Sequence, residues 1–263
     1  MNPTNPYLAP ASDADATPFG RPEAIPPFVT VGDLLKRSFS FYFANLMTIA
    51  GVTLIVFVPV EIVKNFLEHV SHVEDNIPLT VRIETAIESI FGSLVTAALL
   101  ASLKAKIDTG RALRIRDAFS AGGSRWGSVF AARFRSGIYF VVGLVLFVVP
   151  GVIWLVRYSL VDEVATLEGG GRAAQTMQRS KDLVRGHGAK VFWAGLVSLV
   201  IVLSLQFIGG VLSGLVNQWL VTALVDSVND VIYRFFVVLL LLMYLGLGGR
   251  GEASGTRGAF GSS

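Results

Sequence analysis

Residues 128–168, SVFAARFRSGIYFVVGLVLFVVPGVIWLVRYSLVDEVATLE, decide how the rest of the chain is laid out. The centre of this stretch, Gly137 to Tyr158, has two readings. It is one apolar span kinked at Pro150, or Pro150-Gly151 is a tight turn joining two helices at roughly 131–149 and 152–168. Pro-Gly is a strong turn signal, since Pro fixes φ and Gly tolerates positive φ. Each arm holds 17 to 19 residues, just enough at about 1.5 Å per residue to cross a hydrocarbon core of ~30 Å.

Charge separates the two readings. Outward from the Pro-Gly pair lie apolar blocks at about Phe43–Val60, Ala86–Leu103, Lys190–Val216 and Val231–Leu247. With the hairpin there are about six transmembrane helices, and 18 of the 22 basic residues fall on one side, against Lys64 and Arg82 on the other. With a single kinked span the split becomes nearly even. Lys and Arg in short loops hold a segment in the cytoplasm, so the hairpin between spans 3 and 4 is expected, with both termini cytoplasmic. The 61–85 loop and the 217–230 connector then lie outside.

Composition agrees with an all-α integral membrane protein. Hydrophobic residues make up 52% of the chain and charged residues only 16%, with a mean hydropathy of +0.61. A soluble domain is about 25% charged, so the deficit is in charge and the surplus lies in long blocks. The sequence pI of 9.3 reflects a net charge of only +3, with the basic residues beside apolar blocks. They read as topology signals, and no nucleic-acid partner is expected. No cysteine is present, which excludes disulfides and thiolate metal sites.

Seven of the ten prolines lie in residues 1–29, which lack both a basic and an apolar signal region. That segment is expected to be a disordered cytoplasmic tail, residues 30–247 a polytopic helical membrane domain, and 248–263 a Gly/Ser-rich tail. Thr30-Val31-Gly32-Asp33 has the spacing of a capping box. The apolar face of Leu34, Leu35, Phe39 and Tyr42 predicts a short helix at the inner surface before the first span.

Candidate functional residues are few. Arg157 lies within the fourth span, about 10 Å from the turn. An Arg at a helix centre costs roughly 2.5–3.5 kcal/mol on insertion scales, so a partner is expected, with Glu88 and Glu61 at suitable depths. Such a pair either lines a substrate path or locks helices together. Asp162, Glu163 and Glu168 more simply mark a helix end reaching water. The segment between Gly169-Gly170-Gly171 and Gly186-His187-Gly188 predicts a basic surface helix carrying Arg172, Arg179, Lys181 and Arg185. It serves as a plain connector, or it docks anionic headgroups or a membrane partner. His69 and His72 have an i,i+3 spacing but no further ligands nearby, and no metal or other cofactor is expected. Gly210-x-x-x-Gly214 predicts close helix approach in the fifth span.

The stretch FVVPGVIWLVRYSLVDEVATLEGGGRAAQTMQRSKDLVRGH, 147–187, together with TVGDLLKRSFSFYFANLMTIAGV, 30–52, resembles the membrane domain attached to glycerophosphoryl diester phosphodiesterases. That domain also occurs alone in bacterial multi-pass proteins. Its pattern is a hydrophobic Pro-Gly turn, an Arg- or Trp-containing helix, a Leu-Glu-Gly turn and an Ala-rich Arg-Ser-x-x-Leu-x-x-Gly helix. The family's final Tyr-x-Asp-Leu-Arg-like element is degraded here, where Tyr244 is followed by Leu-Gly-Leu-Gly-Gly-Arg. The resemblance implies a bacterial inner-membrane protein. It implies no enzyme activity, because the phosphodiester chemistry belongs to a separate soluble domain with metal-binding motifs. The expectation is therefore a non-catalytic scaffold or accessory factor contacting the lipid bilayer or membrane partners, with export of a small amphiphile as the rival.

Overall fold

The computed structural model describes residues 30–71, 86–169, 172–214 and 218–248. The expected N-terminal tail, nearly all of the C-terminal one and most of the 61–85 loop lie outside them. Among the described residues the chain is helical throughout, with no strand.

Helix α1 (Val31–Ala44) starts where Asp33 donates its backbone N–H to Thr30 Oγ1 at 3.1 Å. It buries Leu34, Ser38 and Tyr42, four residues apart, and leaves Lys36 exposed. It stops at Asn45, whose side-chain amide donates to the Phe41 carbonyl. Helix α2 (Leu46–Ser71) follows, with Pro59 inside it. Its partner is α9 (Trp219–Tyr233), and the two run antiparallel: the Phe66 ring meets Trp219, Asn65 reaches Asp226, and Phe57 meets the guanidinium of Arg234. Residues 219–230, expected as an outside connector, are thus a packed helix. It continues past Arg234 into α10 (Phe235–Gly246).

A π-helical turn, Glu88–Gly92, leads into α3 (Ser93–Thr109), which ends at Gly110 with φ 76°. Helix α4 (Ile115–Leu146) returns antiparallel to α3. Trp126 Nε1 donates to Ser93 Oγ at 2.9 Å, and a Cβ on Gly122 would lie 2.5 Å from the Ala98 backbone nitrogen. Only glycine fits there. At 32 residues α4 is about 48 Å long.

The reversal after α4 is not at Pro150-Gly151. It is at Phe147, a single extended residue (φ −163°, ψ 145°) between α4 and α5 (Val148–Arg157). Pro150 sits in the first turn of α5, where its missing N–H costs nothing. Gly151 does not adopt positive φ and serves another purpose: a Cβ on it would come 2.9 Å from Leu144 N, and one on Gly143 would come 2.7 Å from the Trp154 ring. The two glycines let the antiparallel arms touch backbone to backbone.

The return arm, expected as one helix over 152–168, is broken at Tyr158–Leu160 into α5 and α6 (Val161–Leu167). Ser180 bridges the break, its hydroxyl donating to the Arg157 carbonyl at 3.0 Å and accepting from Leu160 N–H at 3.3 Å. Ser180 belongs to α7 (Ala173–Val184), the expected basic helix. Helix α6 continues down α4, with Asp162 paired to Arg133 at 2.8 Å and Arg125 donating to the Thr166 carbonyl. Helix α8 spans Gly188–Gly214. Its close contact with α9 is made by Gly209, where a Cβ would meet Asn229 Oδ1 at 2.6 Å, and not by Gly210, where a Cβ would meet nothing within 4 Å.

The core joins Leu34 of α1, Phe57 of α2, Leu99 and Leu103 of α3, and Leu239 and Met243 of α10 with Leu160 from the break between α5 and α6. Five helical stretches are long and apolar enough to cross a membrane: Leu46–Phe66, Ser89–Thr109, Ile115–Val145, Gly188–Val211 and Trp219–Gly246. The outer faces of several are themselves apolar. Along α8, Val200, Leu203, Phe207 and Ile208 are exposed, a continuous patch that suits acyl chains and not water.

Candidate functional site

The break between α5 and α6 brings the start of α8 and the inner face of α7 against α5. Gly186, with φ 81°, turns the chain from α7 into α8, and a Cβ on Gly188 would lie 3.8 Å from Val156 Cγ1. Between the three helices lies a groove of about 630 Å³. Its walls are Val152, Ile153 and Val156 from α5 and Phe192 and Trp193 from α8. Its polar side carries Arg157, the last residue of α5, with Lys181 and Arg185. All three cations are exposed. The one acidic residue of the lining, Asp182, accepts a hydrogen bond from Gln178 Nε2 at 3.0 Å. An apolar slot with a cationic rim is complementary to an amphiphile with an anionic head.

The residues singled out from the sequence are therefore sorted differently in space. Arg157, Lys181 and Arg185 converge. Arg179 faces away and holds the α6–α7 turn, its Nε donating to Glu168 at 3.0 Å, while Tyr244 donates to the same carboxylate at 2.9 Å. Arg172 starts α7, its backbone N–H donating to Gln175 Oε1. Glu61 is buried on α2 in an ion pair with Lys64, away from Arg157. The Glu88 side chain lies outside the described residues, as do the His69 side chain and His72. Among the described residues no three His, Cys, Asp or Glu side chains are grouped to hold a metal.

Two polar clusters were not read from the sequence. One is Glu61, Lys64, Asn65 and Asp226, where Asn65 Nδ2 donates to Asp226 Oδ2 at 3.3 Å and Lys64 Nζ lies 3.8 Å from the same oxygen. The i, i+3, i+4 spacing on α2 was the available signal, but Asp226 comes from 161 residues away. The other is Glu163, beside the Arg133–Asp162 pair. Its carboxylate is fully buried, and among the described residues neither oxygen has a hydrogen-bond partner. Burial first, and the adjacent Asp162 second, push this carboxyl well above the usual carboxylate range, with Arg133 opposing.

No protein-family model, no curated protein and no solved structure matches this chain.

Proposed function

We propose that this is a multi-pass membrane protein that works without catalysis, as a scaffold or accessory factor, and that the groove between α5, α7 and α8 holds the head of an anionic lipid. The observation that carries this reading is the convergence of Arg157, Lys181 and Arg185 over an apolar slot. A phosphate held by two or three cations leaves its acyl chain to run along Ile153 and Trp193. In the topology we propose, the basic segments and both termini face the cytoplasm of a bacterial inner membrane. The asymmetry of the basic residues supports that orientation, and the resemblance of 147–187 supports the compartment.

The test is lipid retention. Purified protein in nanodiscs of mixed phosphatidylglycerol and phosphatidylcholine is expected to keep phosphatidylglycerol selectively through delipidation. The triple variant Arg157→Ala, Lys181→Ala, Arg185→Ala loses about tenfold in that preference, as the loss of about 1.4 kcal/mol would give. Equal retention of both lipids by the wild-type protein contradicts the proposal.

A second reading, export of a small amphiphile, is favoured by the buried Glu61–Lys64–Asp226 cluster between two candidate spans, since charges held at membrane depth often mark a transport path. Arg157→Leu separates the two. Loss of flux in proteoliposomes with unchanged folded yield supports export, and unchanged flux with lost lipid preference supports the scaffold.

A further inference from the structure

Three further features bear on how the chain meets its surroundings: the buried Glu163, the Glu61–Lys64–Asp226 cluster, and the exposed tip of the α4–α5 hairpin. The hairpin goes furthest. We infer that it enters the bilayer from the side of its charged base and turns back near mid-depth, so that its partner is the acyl chains of a single leaflet. This rests on reading the chain as a membrane protein.

Charge sets the depth. Arg135 and Arg157 frame the hairpin, and no charged residue lies between them. The chain reverses at Phe147, so each arm offers only 9 to 11 uncharged residues. At about 1.5 Å per residue that is roughly 14–16 Å, half of a ~30 Å core. A complete crossing by both arms would carry Arg133, Arg135, Arg157, Asp162 and Glu163 into hydrocarbon. The Arg133–Asp162 ion pair instead marks a polar base. Tyr139, with Trp154 at 5.8 Å and Tyr158 at 6.1 Å, forms an aromatic cluster just above it, where interfacial rings prefer to sit.

The tip is apolar on every side and uncovered. Val145 is 80% exposed, Phe147 74%, Val149 68% and Val148 65%. Gly143 against Gly151 keeps the two arms narrow. A turn in hydrocarbon must also limit its unpaired backbone groups. Here Pro150 has no N–H and the Gly151 N–H reaches the Phe147 carbonyl at 3.3 Å, which leaves the donors of Val148 and Val149. Two amides and the last carbonyls of α4 are a smaller burden than five ionisable side chains.

The chain has no cysteine, so single-cysteine variants of the full protein report cleanly. Phe147→Cys, and Val145→Cys as a second position, are made in native membranes, with Gln178→Cys on α7 marking the cytoplasmic face. A membrane-impermeant maleimide is expected to label Gln178→Cys only when that face is opened, and to label neither tip variant from either face until detergent is added. A spin label at either tip position should then show high oxygen and low nickel-chelate accessibility. Labelling of the tip from the face opposite Gln178→Cys overturns the inference, since the hairpin then crosses, and it leaves the membrane reading intact. Tip protection with low accessibility to both oxygen and nickel also overturns it, placing another protein chain there. Labelling from the same face as Gln178→Cys shows the hairpin outside the bilayer, and if the protein is then also released by alkaline wash the membrane reading falls with it.

Discussion

The two halves of α4 belong to one unbroken helix and yet are built for different surroundings. From Ile115 to Phe130 it buries Ala118, Gly122 and Val129 against α3 and turns Arg116, Asp117, Ser120 and Ser124 outward. From Ala131 to Val145 the exposed side chains become Phe134, Ile138, Val141, Val142 and Val145, with Arg135 the last charge. An amphipathic pattern gives way to an all-round apolar one at a fixed place, beside the Arg133–Asp162 pair. The exposed face thus changes from polar to apolar along one helix, as the proposed mid-depth turn requires.

The first half depends on backbone contact. Gly122→Leu would drive a side chain into the Ala97–Ala98 backbone, which cannot yield as a flexible side chain can. Overpacking of a well-filled interface costs 1–3 kcal/mol and occasionally more. About 3 kcal/mol is expected here, read as lost yield of monodisperse protein or a collapse in melting temperature. The same change at Gly143 should cost less, because Leu144, Val145, Val148 and Val149 around it are exposed and leave the arms free to part at the tip. Equal losses would erase the distinction between the two halves.

At the junction, Asp162→Ala leaves Arg133 without its carboxylate in a half-buried position, for an expected loss of about 1–2 kcal/mol. Glu163 gives the junction a pH dependence. Its folded pKa is raised, so the stability tied to its neutral form is complete below the unfolded value near about 4.3 and is lost as pH rises through the folded value. Wild-type melting in detergent should therefore fall as pH rises above the ordinary carboxylate range, and Glu163→Gln should flatten that slope. A slope unchanged in Glu163→Gln would assign the effect to another group.

The smallest effect belongs to the second half. Val145→Ser, at a position with almost no protein contact, should change detergent stability by less than about 0.5 kcal/mol. A large loss there would mean that the hairpin tip is packed against protein.

Much of this was legible in the sequence. The apolar blocks, the Thr30 cap and the basic helix follow from local pattern, and the reversal near residue 150 was favoured over a kinked span by the distribution of charge along the whole chain. What was not legible depends on distant partners. Residues 217–230 read as an outside connector between two apolar blocks, because nothing nearby in sequence shows that Lys64 and Asn65 meet Asp226 across α2 and α9. Gly151 read as a turn residue, because the need for a missing Cβ arises only when Gly143 and Leu144 lie against it. Arg157 seemed to require an acidic partner at depth. At the end of a 10-residue helix it instead stands in the rim of a groove with Lys181 and Arg185, a grouping that the break at Tyr158–Leu160 creates.

A depth profile along α4 tests the change of solvent most directly. Single spin labels at Ser120, Ser124, Phe134, Ile138, Val141 and Val145, all on exposed positions, are compared for collision with oxygen and with a nickel chelate in reconstituted vesicles. The expected profile is nickel-accessible at Ser120 and Ser124, crosses over near Arg135, and is oxygen-dominated with rising depth to Val145. Oxygen dominance already at Ser120, or nickel access persisting at Val145, would contradict a bilayer boundary within this helix.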